Sequence, residues 1–145
     1  MITSELLNKI PETVSIRTLK IKEALESGDT SLFLSSLREL FAQIPSVLYM
    51  DEEKYYHSLF IMIMYMSGIE IESEVNTNIG RIDGVIETKD KIYIIEFKLD
   101  KTPGEALQQI FRKKYYEKYT GREKEIVLMG VSFTCGDIKM ITESV

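Results

Sequence analysis

The sequence predicts an α/β domain with a mixed sheet, in which an N-terminal helical layer precedes a helix, a three-strand meander, a helix and a strand. Two observations support this prediction. Apolar residues recur at helical spacing up to Gly68 and at strand spacing after it. A helical segment then separates the meander from a further strand, and a helical crossover of this kind joins parallel strands. A chain of 145 residues fits one domain, residues 1–145.

The first half of the chain predicts three helices. The first ends at Gly28-Asp29, and the second ends at Ile44-Pro45 because a residue before proline avoids the helical region. Asp51 is a candidate N-cap for the third helix, whose second half is apolar on all sides, as in a buried helix. The helices are predicted at residues 13–27, 31–43 and 52–68, with residues 1–50 forming the helical layer and 51–145 the core.

The second half of the chain predicts strands around one more helix. Lys89-Asp90 forms the turn between the second and third strands. Thr102 can cap the next helix, Pro103 suits its first position, and Glu105 completes a capping box. This helix is predicted to run to about Tyr119. The strands are predicted at residues 69–75, 82–88, 92–99, 125–133 and 137–142.

Composition limits the classes of function. The net charge of −5 argues against broad, sequence-blind binding to nucleic acid. The segment Lys98–Lys124 nevertheless has eight basic and four acidic residues, a net charge of +4, which leaves −9 for the remainder. This basic segment is either a phosphate-facing surface or a solvated helix face. No signal peptide or membrane-spanning run is recognised, and Cys135 is the single cysteine, so we expect a cytoplasmic protein without an intrachain disulfide.

Glu96 and Lys98 are the first candidates for chemistry. They lie two residues apart on a predicted strand, so their side chains point to the same face. The strand is otherwise apolar, and a buried charge is costly unless it is paired or binds a metal ion. The alternatives are a simple salt bridge or the point at which the strand emerges into solvent.

The predicted hairpin adds a second carboxylate. If the turn is centred on Lys89-Asp90, the numbers of paired residues sum to 179, and Asp83 lies directly opposite Glu96. Two like charges placed in this way repel each other unless a cation lies between them. Mg²⁺ takes one or two carboxylates and keeps several waters. The argument depends on the register, because a slip of one residue would move one carboxylate to the other face.

These residues resemble a known family. Gly80-Arg81-Ile82-Asp83, followed by Ile94-Ile95-Glu96-Phe97-Lys98, is similar to the motif of the PD-(D/E)XK nuclease superfamily. The resemblance is closest to a nuclease-like domain that often follows an AAA-ATPase-like module in bacterial proteins. It also covers Glu105–Ile110, Lys114-Tyr115 and Gly130–Phe133. Ile82 stands where the family name has proline.

The resemblance implies a restriction-endonuclease-like core and a metal-dependent nuclease that acts on DNA. Asp83, Glu96 and the backbone carbonyl of Phe97 would bind Mg²⁺ or Mn²⁺. Lys98 would orient or deprotonate the attacking water, or stabilise charge on the phosphate. An ATPase-like partner module and a homodimer are further expectations. The alternative function is a non-catalytic recognition or assembly module that keeps the nuclease fold.

The resemblance also points to residues outside the motif. Glu53 would assist the metal or the water, although it can equally complement the positive end of its helix. Gln109 would face the site from the helix that follows the Glu-x-Lys strand, whereas most helical glutamines are only solvated. Lys114 and Tyr115 are weaker candidates. His57 is the only histidine, so a zinc cluster is not expected.

Overall fold

The computed structural model describes residues 4–45, 48, 50–134 and 136–145, with side chains from residue 16 onward. Cys135 lies outside the described residues. The described chain forms helices α1 to α4, strands β1 to β5 and a 3₁₀ turn between α4 and β4. Their bounds are α1 Ser4–Ser27, α2 Thr30–Phe41, α3 Glu53–Met66, β1 Ile71–Thr77, β2 Gly80–Glu87, β3 Lys91–Leu99, α4 Pro103–Lys113, the 3₁₀ turn Tyr115–Tyr119, β4 Glu125–Thr134 and β5 Asp137–Ser144.

The five strands form one mixed sheet in the order β1-β2-β3-β4-β5. The pairs β1–β2, β2–β3 and β4–β5 are antiparallel, and β3–β4 is parallel. Helix α4 makes the crossover that parallel neighbours require. The predicted α/β fold with a mixed sheet and an N-terminal helical layer is therefore confirmed, and its arrangement is that of a restriction-endonuclease-like core.

The sheet separates two apolar cores because side chains alternate along each strand. On one face, Tyr93, Ile95 and Phe97 of β3 pack with buried residues of α1, α2 and α3. On the other face, Ile92 and Ile94 pack with α4 and the 3₁₀ turn. The division between a helical layer at residues 1–50 and a core at 51–145 stays a prediction.

Local signals set most of the helix starts correctly. Asp29 caps α2 by accepting from the backbone N–H of Leu32 at 3.0 Å. Thr102 and Glu105 form the predicted capping box of α4. The prediction of Asp51 as the N-cap of α3 is wrong by one residue: Glu52 is still extended, with φ −136° and ψ 131°, so it occupies the cap position without a side-chain cap bond.

Two helices differ in length from the predictions. Helix α1 begins at Ser4, well before Thr13. Helix α4 ends at Lys113 rather than near Tyr119, because Lys114 adopts a left-handed conformation with φ 52°. A left-handed residue other than glycine costs about 1–3 kcal/mol. Burial of the rings of Tyr115 and Tyr119, which follow the bend, gains on the order of 4 kcal/mol each and outweighs this cost.

Among the described residues, helices of the length and apolarity needed to cross a bilayer are absent.

Candidate functional site

Glu96 and Lys98 lie near the carboxyl end of β3 and face α4. Their even-numbered neighbours Ile92 and Ile94 belong to the core beneath α4, so the predicted alternation along the strand is confirmed. Glu96 is only 3% exposed, whereas Lys98 is half-buried. The strand therefore carries one carboxyl group into the interior and one ammonium group to its edge.

Asp83 reaches the same point from β2. The β2–β3 ladder pairs Gly84 with Ile95 and Glu87 with Ile92, which is the predicted register. The ladder ends at the pair of Gly84 and Ile95, so Asp83 and Glu96, which would pair next, are not ladder partners. Instead, the Asp83 carboxylate Oδ2 accepts from the backbone N–H of Phe97 at 2.9 Å. In a continued ladder, the N–H of Phe97 would donate to the backbone of β2. The Asp83 side chain accepts from this N–H instead, and the two strands separate at the site.

Gln109 of α4 links the acidic and basic groups of β3. Its amide Nε2 donates to Glu96 Oε1 at 2.5 Å, and its carbonyl Oε1 accepts from Lys98 Nζ at 2.5 Å. The predicted position of Gln109 facing the site is where the structure places it. Among the described residues, Glu96 and Lys98 form no direct ion pair. The simple salt bridge considered for this strand is therefore replaced by an amide bridge.

The charge state of Glu96 is set by its surroundings. Burial, followed by the negative charge of Asp83, raises the pKa of Glu96 from 4.5 to about 9, against a smaller opposing effect of Lys98. Glu96 Oε2 is buried without a donor among the described residues. The Asp83 carboxyl group beside it can satisfy this atom only if one of the two groups carries a proton. At neutral pH the pair therefore holds a proton that a cation could replace.

This donor set fits a hard divalent cation. Two carboxylates and a backbone carbonyl are oxygen ligands of the kind that Mg²⁺ and Mn²⁺ take. The N–H of Phe97 points towards Asp83, and the N–H and carbonyl of one strand residue lie on the same edge of the strand. The carbonyl of Phe97 is therefore on the Asp83 side of β3, as its predicted role requires. Among the described residues, no group of three or more acidic, histidine or cysteine side chains could hold a metal ion together, so waters and substrate would complete the coordination.

Gly130 of β4 is a supporting residue that the functional prediction missed. It pairs with Glu96 in the parallel ladder. A Cβ atom at this position would lie 2.2 Å from the carbonyl oxygen of Pro103 and 2.8 Å from the backbone nitrogen of Leu107. Glycine thus allows α4 to approach the sheet closely, which brings Gln109 to Glu96. The signal in the sequence was a glycine inside an otherwise apolar strand.

Tyr115 is a larger part of the site than the sequence indicated. The residue is 3% exposed and belongs to the core beneath α4. Burial, the charge of Glu96 and, to a smaller extent, the charge of Asp83 raise the pKa of its hydroxyl, while the amide of Gln109 lowers it. Its hydroxyl group therefore belongs to the same cluster as both carboxyl groups and Gln109. Lys114 is exposed at the bend before it.

Glu53 and His57 lie on α3, on the opposite face of the sheet. Glu53 is exposed in the first turn of this helix, and no acidic cluster that includes it is found among the described residues. Its predicted assistance to metal or water stays a prediction. One turn later, the His57 ring centroid is 4.6 Å from that of Phe97, and its Nε2 is buried without a described partner. His57 therefore packs beneath the site strand, as expected.

Comparisons with known proteins agree with the geometry. The family model described as the PD-(D/E)XK nuclease superfamily matches residues 51–143. A protein of Azotobacter chroococcum mcd 1, described as an uncharacterized protein in the vnfD 5' region, is 33% identical over 138 residues. The match covers 89% of this chain and 27% of that relative, so the chain spans about a quarter of the relative's length. No solved structure matches the chain. The motif, the split between β2 and β3 and the family match lead to one conclusion: the chain belongs to the PD-(D/E)XK nuclease superfamily.

Proposed function

We propose that the protein is a Mg²⁺- or Mn²⁺-dependent nuclease that hydrolyses phosphodiester bonds in DNA. The observation that carries this proposal is the pair formed by buried Glu96 and half-buried Asp83, which has no ion-pair partner among the described residues, next to an ammonium group held by an amide. A fold needs none of these features for stability, because a buried uncompensated acid is costly. The preference for DNA follows from the resemblance to restriction-endonuclease-like cores.

The residues have distinct roles in this proposal. Asp83, Glu96 and the carbonyl of Phe97 hold the cation. A bound Mg²⁺ or Mn²⁺ supplies charge for the phosphate oxygens and lowers the pKa of a coordinated water. Lys98 presents its ammonium group to the scissile phosphate or to the attacking water. Gln109 keeps that ammonium group in place from α4, at 2.5 Å.

Lys98 stays available because of what surrounds it. Its bond to Gln109 goes to a neutral amide oxygen, so its positive charge is not cancelled by direct contact with a carboxylate. A positive charge near a transferring phosphate gives most stabilisation where water is partly excluded. The half-buried position of Lys98 meets this condition.

The activity is tested with supercoiled plasmid and single-stranded DNA, in Mg²⁺, in Mn²⁺ and in EDTA. We expect cleavage only with a divalent cation, and its loss in Asp83→Asn and Lys98→Ala. Asp90→Asn and Lys101→Ala are matched controls, because both residues are exposed and lie outside the site. Cleavage that survives in Asp83→Asn would exclude this site as its origin.

A readout independent of cleavage tests the cation site itself. Mn²⁺ should raise the melting temperature of the wild type and of Asp90→Asn, but not that of Asp83→Asn. A ligand at 100 times its Kd stabilises the folded state by about 2.7 kcal/mol. An equal shift in all three proteins would show that the ion binds elsewhere.

The second candidate function is a non-catalytic recognition or assembly module. The coverage of only 27% of the Azotobacter relative favours it, because such a domain can accompany further modules. The ATPase-like partner and the homodimer belong to this proposal. Its signature would be binding of DNA, with no cleavage by the wild type in either metal while Mn²⁺ still stabilises the fold.

A further inference from the structure

A pocket opens next to the candidate site. It has a volume of about 460 Å³ and lies between the tip of the β1–β2 hairpin and the 3₁₀ turn after α4. Asn76, Asn78 and Ile79 line it on the hairpin side, and Lys114, Lys118 and the acidic Glu117 on the other. A pocket of this volume is of the size that holds a small molecule or a single nucleotide unit.

The cations beside this pocket are unpaired. The basic segment Lys98–Lys124 contains cations with and without an ion-pair partner. Arg122 and Lys124 form ion pairs with Glu87, at 3.3 and 2.9 Å. In the part of the chain that the structure describes, Lys114 and Lys118 have no acidic partner within ion-pair distance. Lys114 and Lys118 therefore keep their positive charge available to an external anion at the pocket.

Hydrogen bonds hold the tip of the β1–β2 hairpin in position. Thr77 Oγ1 donates to the Gly80 carbonyl at 2.8 Å and accepts from the Ile79 N–H at 3.2 Å. Lys118 Nζ donates to the Asn76 carbonyl at 3.3 Å and so ties the 3₁₀ turn to the hairpin. The side chain of Ile79 remains 46% exposed. The pocket therefore offers amide groups and an apolar contact on one wall, and two ammonium groups with one carboxylate, Glu117, on the other.

Tyr115 connects the pocket with the site. It lines the pocket, and its hydroxyl oxygen would be 3.1 Å from a Cβ atom placed on Gly80. Gly80 begins the strand that carries Asp83, and Lys114 directly follows the helix that carries Gln109. Three residues of strand span about 10 Å, so the pocket lies roughly that far from Asp83. This is a distance that neighbouring nucleotides of one strand can cover.

We propose that this pocket binds an unpaired nucleotide next to the scissile phosphate, with Lys114 and Lys118 contacting the strand's phosphates. The inference rests on the proposed nuclease function and specifies its substrate class as a single-stranded segment or a frayed end. A base inside a duplex is stacked on its neighbours and is not free to enter a pocket, whereas an unpaired base can be splayed out and contacted at its edges. The amides of Asn76 and Asn78 are groups that can read such edges.

Binding is measured by fluorescence anisotropy with labelled oligothymidylate, in EDTA, on the Asp83→Asn protein. We expect Lys114→Gln with Lys118→Gln to weaken binding on the order of tenfold and to reduce the slope of log K against log salt by about 1.4, since each single-strand phosphate contact contributes about 0.7. A blunt hairpin duplex of equal charge should bind more weakly and respond less to the double substitution.

The matched control is Lys20→Gln with Lys22→Gln, which removes the same charge from the exposed surface of α1 on the other face of the sheet. It should leave the salt slope unchanged. An equal loss in both double variants, or an equal response of duplex and single strand, would overturn the inference. Because the assay needs neither metal nor cleavage, it can fail while the nuclease proposal stands, and it can succeed if no cleavage is ever found.

Discussion

Glu96→Gln should stabilise the metal-free protein at neutral and alkaline pH. The pKa of Glu96 is raised from 4.5 to about 9, first by burial and then by Asp83. Each unit corresponds to about 1.36 kcal/mol, so full ionisation of Glu96 costs the fold on the order of 6 kcal/mol. Domains are stable by about 5–15 kcal/mol, so this single group has a large effect.

The sign of the pH dependence follows from the direction of the shift. The folded state holds the Glu96 proton more tightly than the unfolded state does. The contribution of this proton to the free energy of unfolding is therefore fully present below pH 4.5 and is lost as the pH rises towards 9. Between pH 4.5 and 7 the loss is about 3 kcal/mol, or roughly 10 °C in melting temperature. Glutamine has no proton to lose, so the variant should lack this part of the slope.

The assay is urea or thermal unfolding of the wild type and Glu96→Gln in EDTA from pH 5 to 9. The difference in free energy of unfolding between the two proteins should grow with pH. Glu72→Gln, at an exposed position on β1, controls for the loss of one negative charge. Added Mn²⁺ should stabilise the wild type and not Glu96→Gln. Parallel pH profiles for the wild type and Glu96→Gln would refute the reasoning, because they would mean that Glu96 is ionised without cost in the fold.

Two further substitutions test the supports of the site, and a third tests a helix cap that lies away from it. Gly130→Ala should destabilise the fold by about 2–3 kcal/mol in urea unfolding and reduce cleavage, because the added Cβ would clash with backbone atoms that cannot move alone. The control is Gly104→Ala, whose added Cβ would have no contact under 3.8 Å. Gln109→Leu should lower the rate of cleavage more than the affinity for DNA, because Lys98 loses the amide that holds it; equal losses in both would contradict this. Asp29→Ala should cost about 1 kcal/mol of stability through the lost cap of α2 and leave cleavage unchanged.

The parts of the fold that sequence predicted well are those governed by local chemistry. The capping box of Thr102 and Glu105 needs only neighbours along the chain, and it fixed the start of α4. The turn at Lys89-Asp90 fixed the register of the hairpin, with Thr88 N–H bonded to the Lys91 carbonyl at 2.8 Å. Register in turn placed Asp83 near Glu96, so the proximity of the two carboxyl groups could be predicted from spacing.

The parts that sequence could not predict depend on contacts distant in the chain. The ladder ends at Gly84 because the Asp83 side chain competes for the Phe97 N–H, which no local pattern indicates. The bend at Lys114 carries no glycine signal, and it is stabilised by burial of Tyr115 rather than by its own preference. The role of Gly130 requires knowing that Pro103 lies above it. Tertiary packing decides each of these features.

The choice of glutamine at position 109 has a chemical reason. A carboxylate there would pair with Lys98 but repel the Glu96 and Asp83 carboxyl groups, and it would cancel the charge of the ammonium group. An ammonium group there would neutralise Glu96 and repel Lys98. An amide both donates and accepts, so it satisfies Glu96 Oε1 and Lys98 Nζ at once without adding charge. The acidic pair therefore remains free to bind a cation and Lys98 remains free to contact an anion, and this separation of charges is the one that the proposed cleavage of a phosphodiester would use.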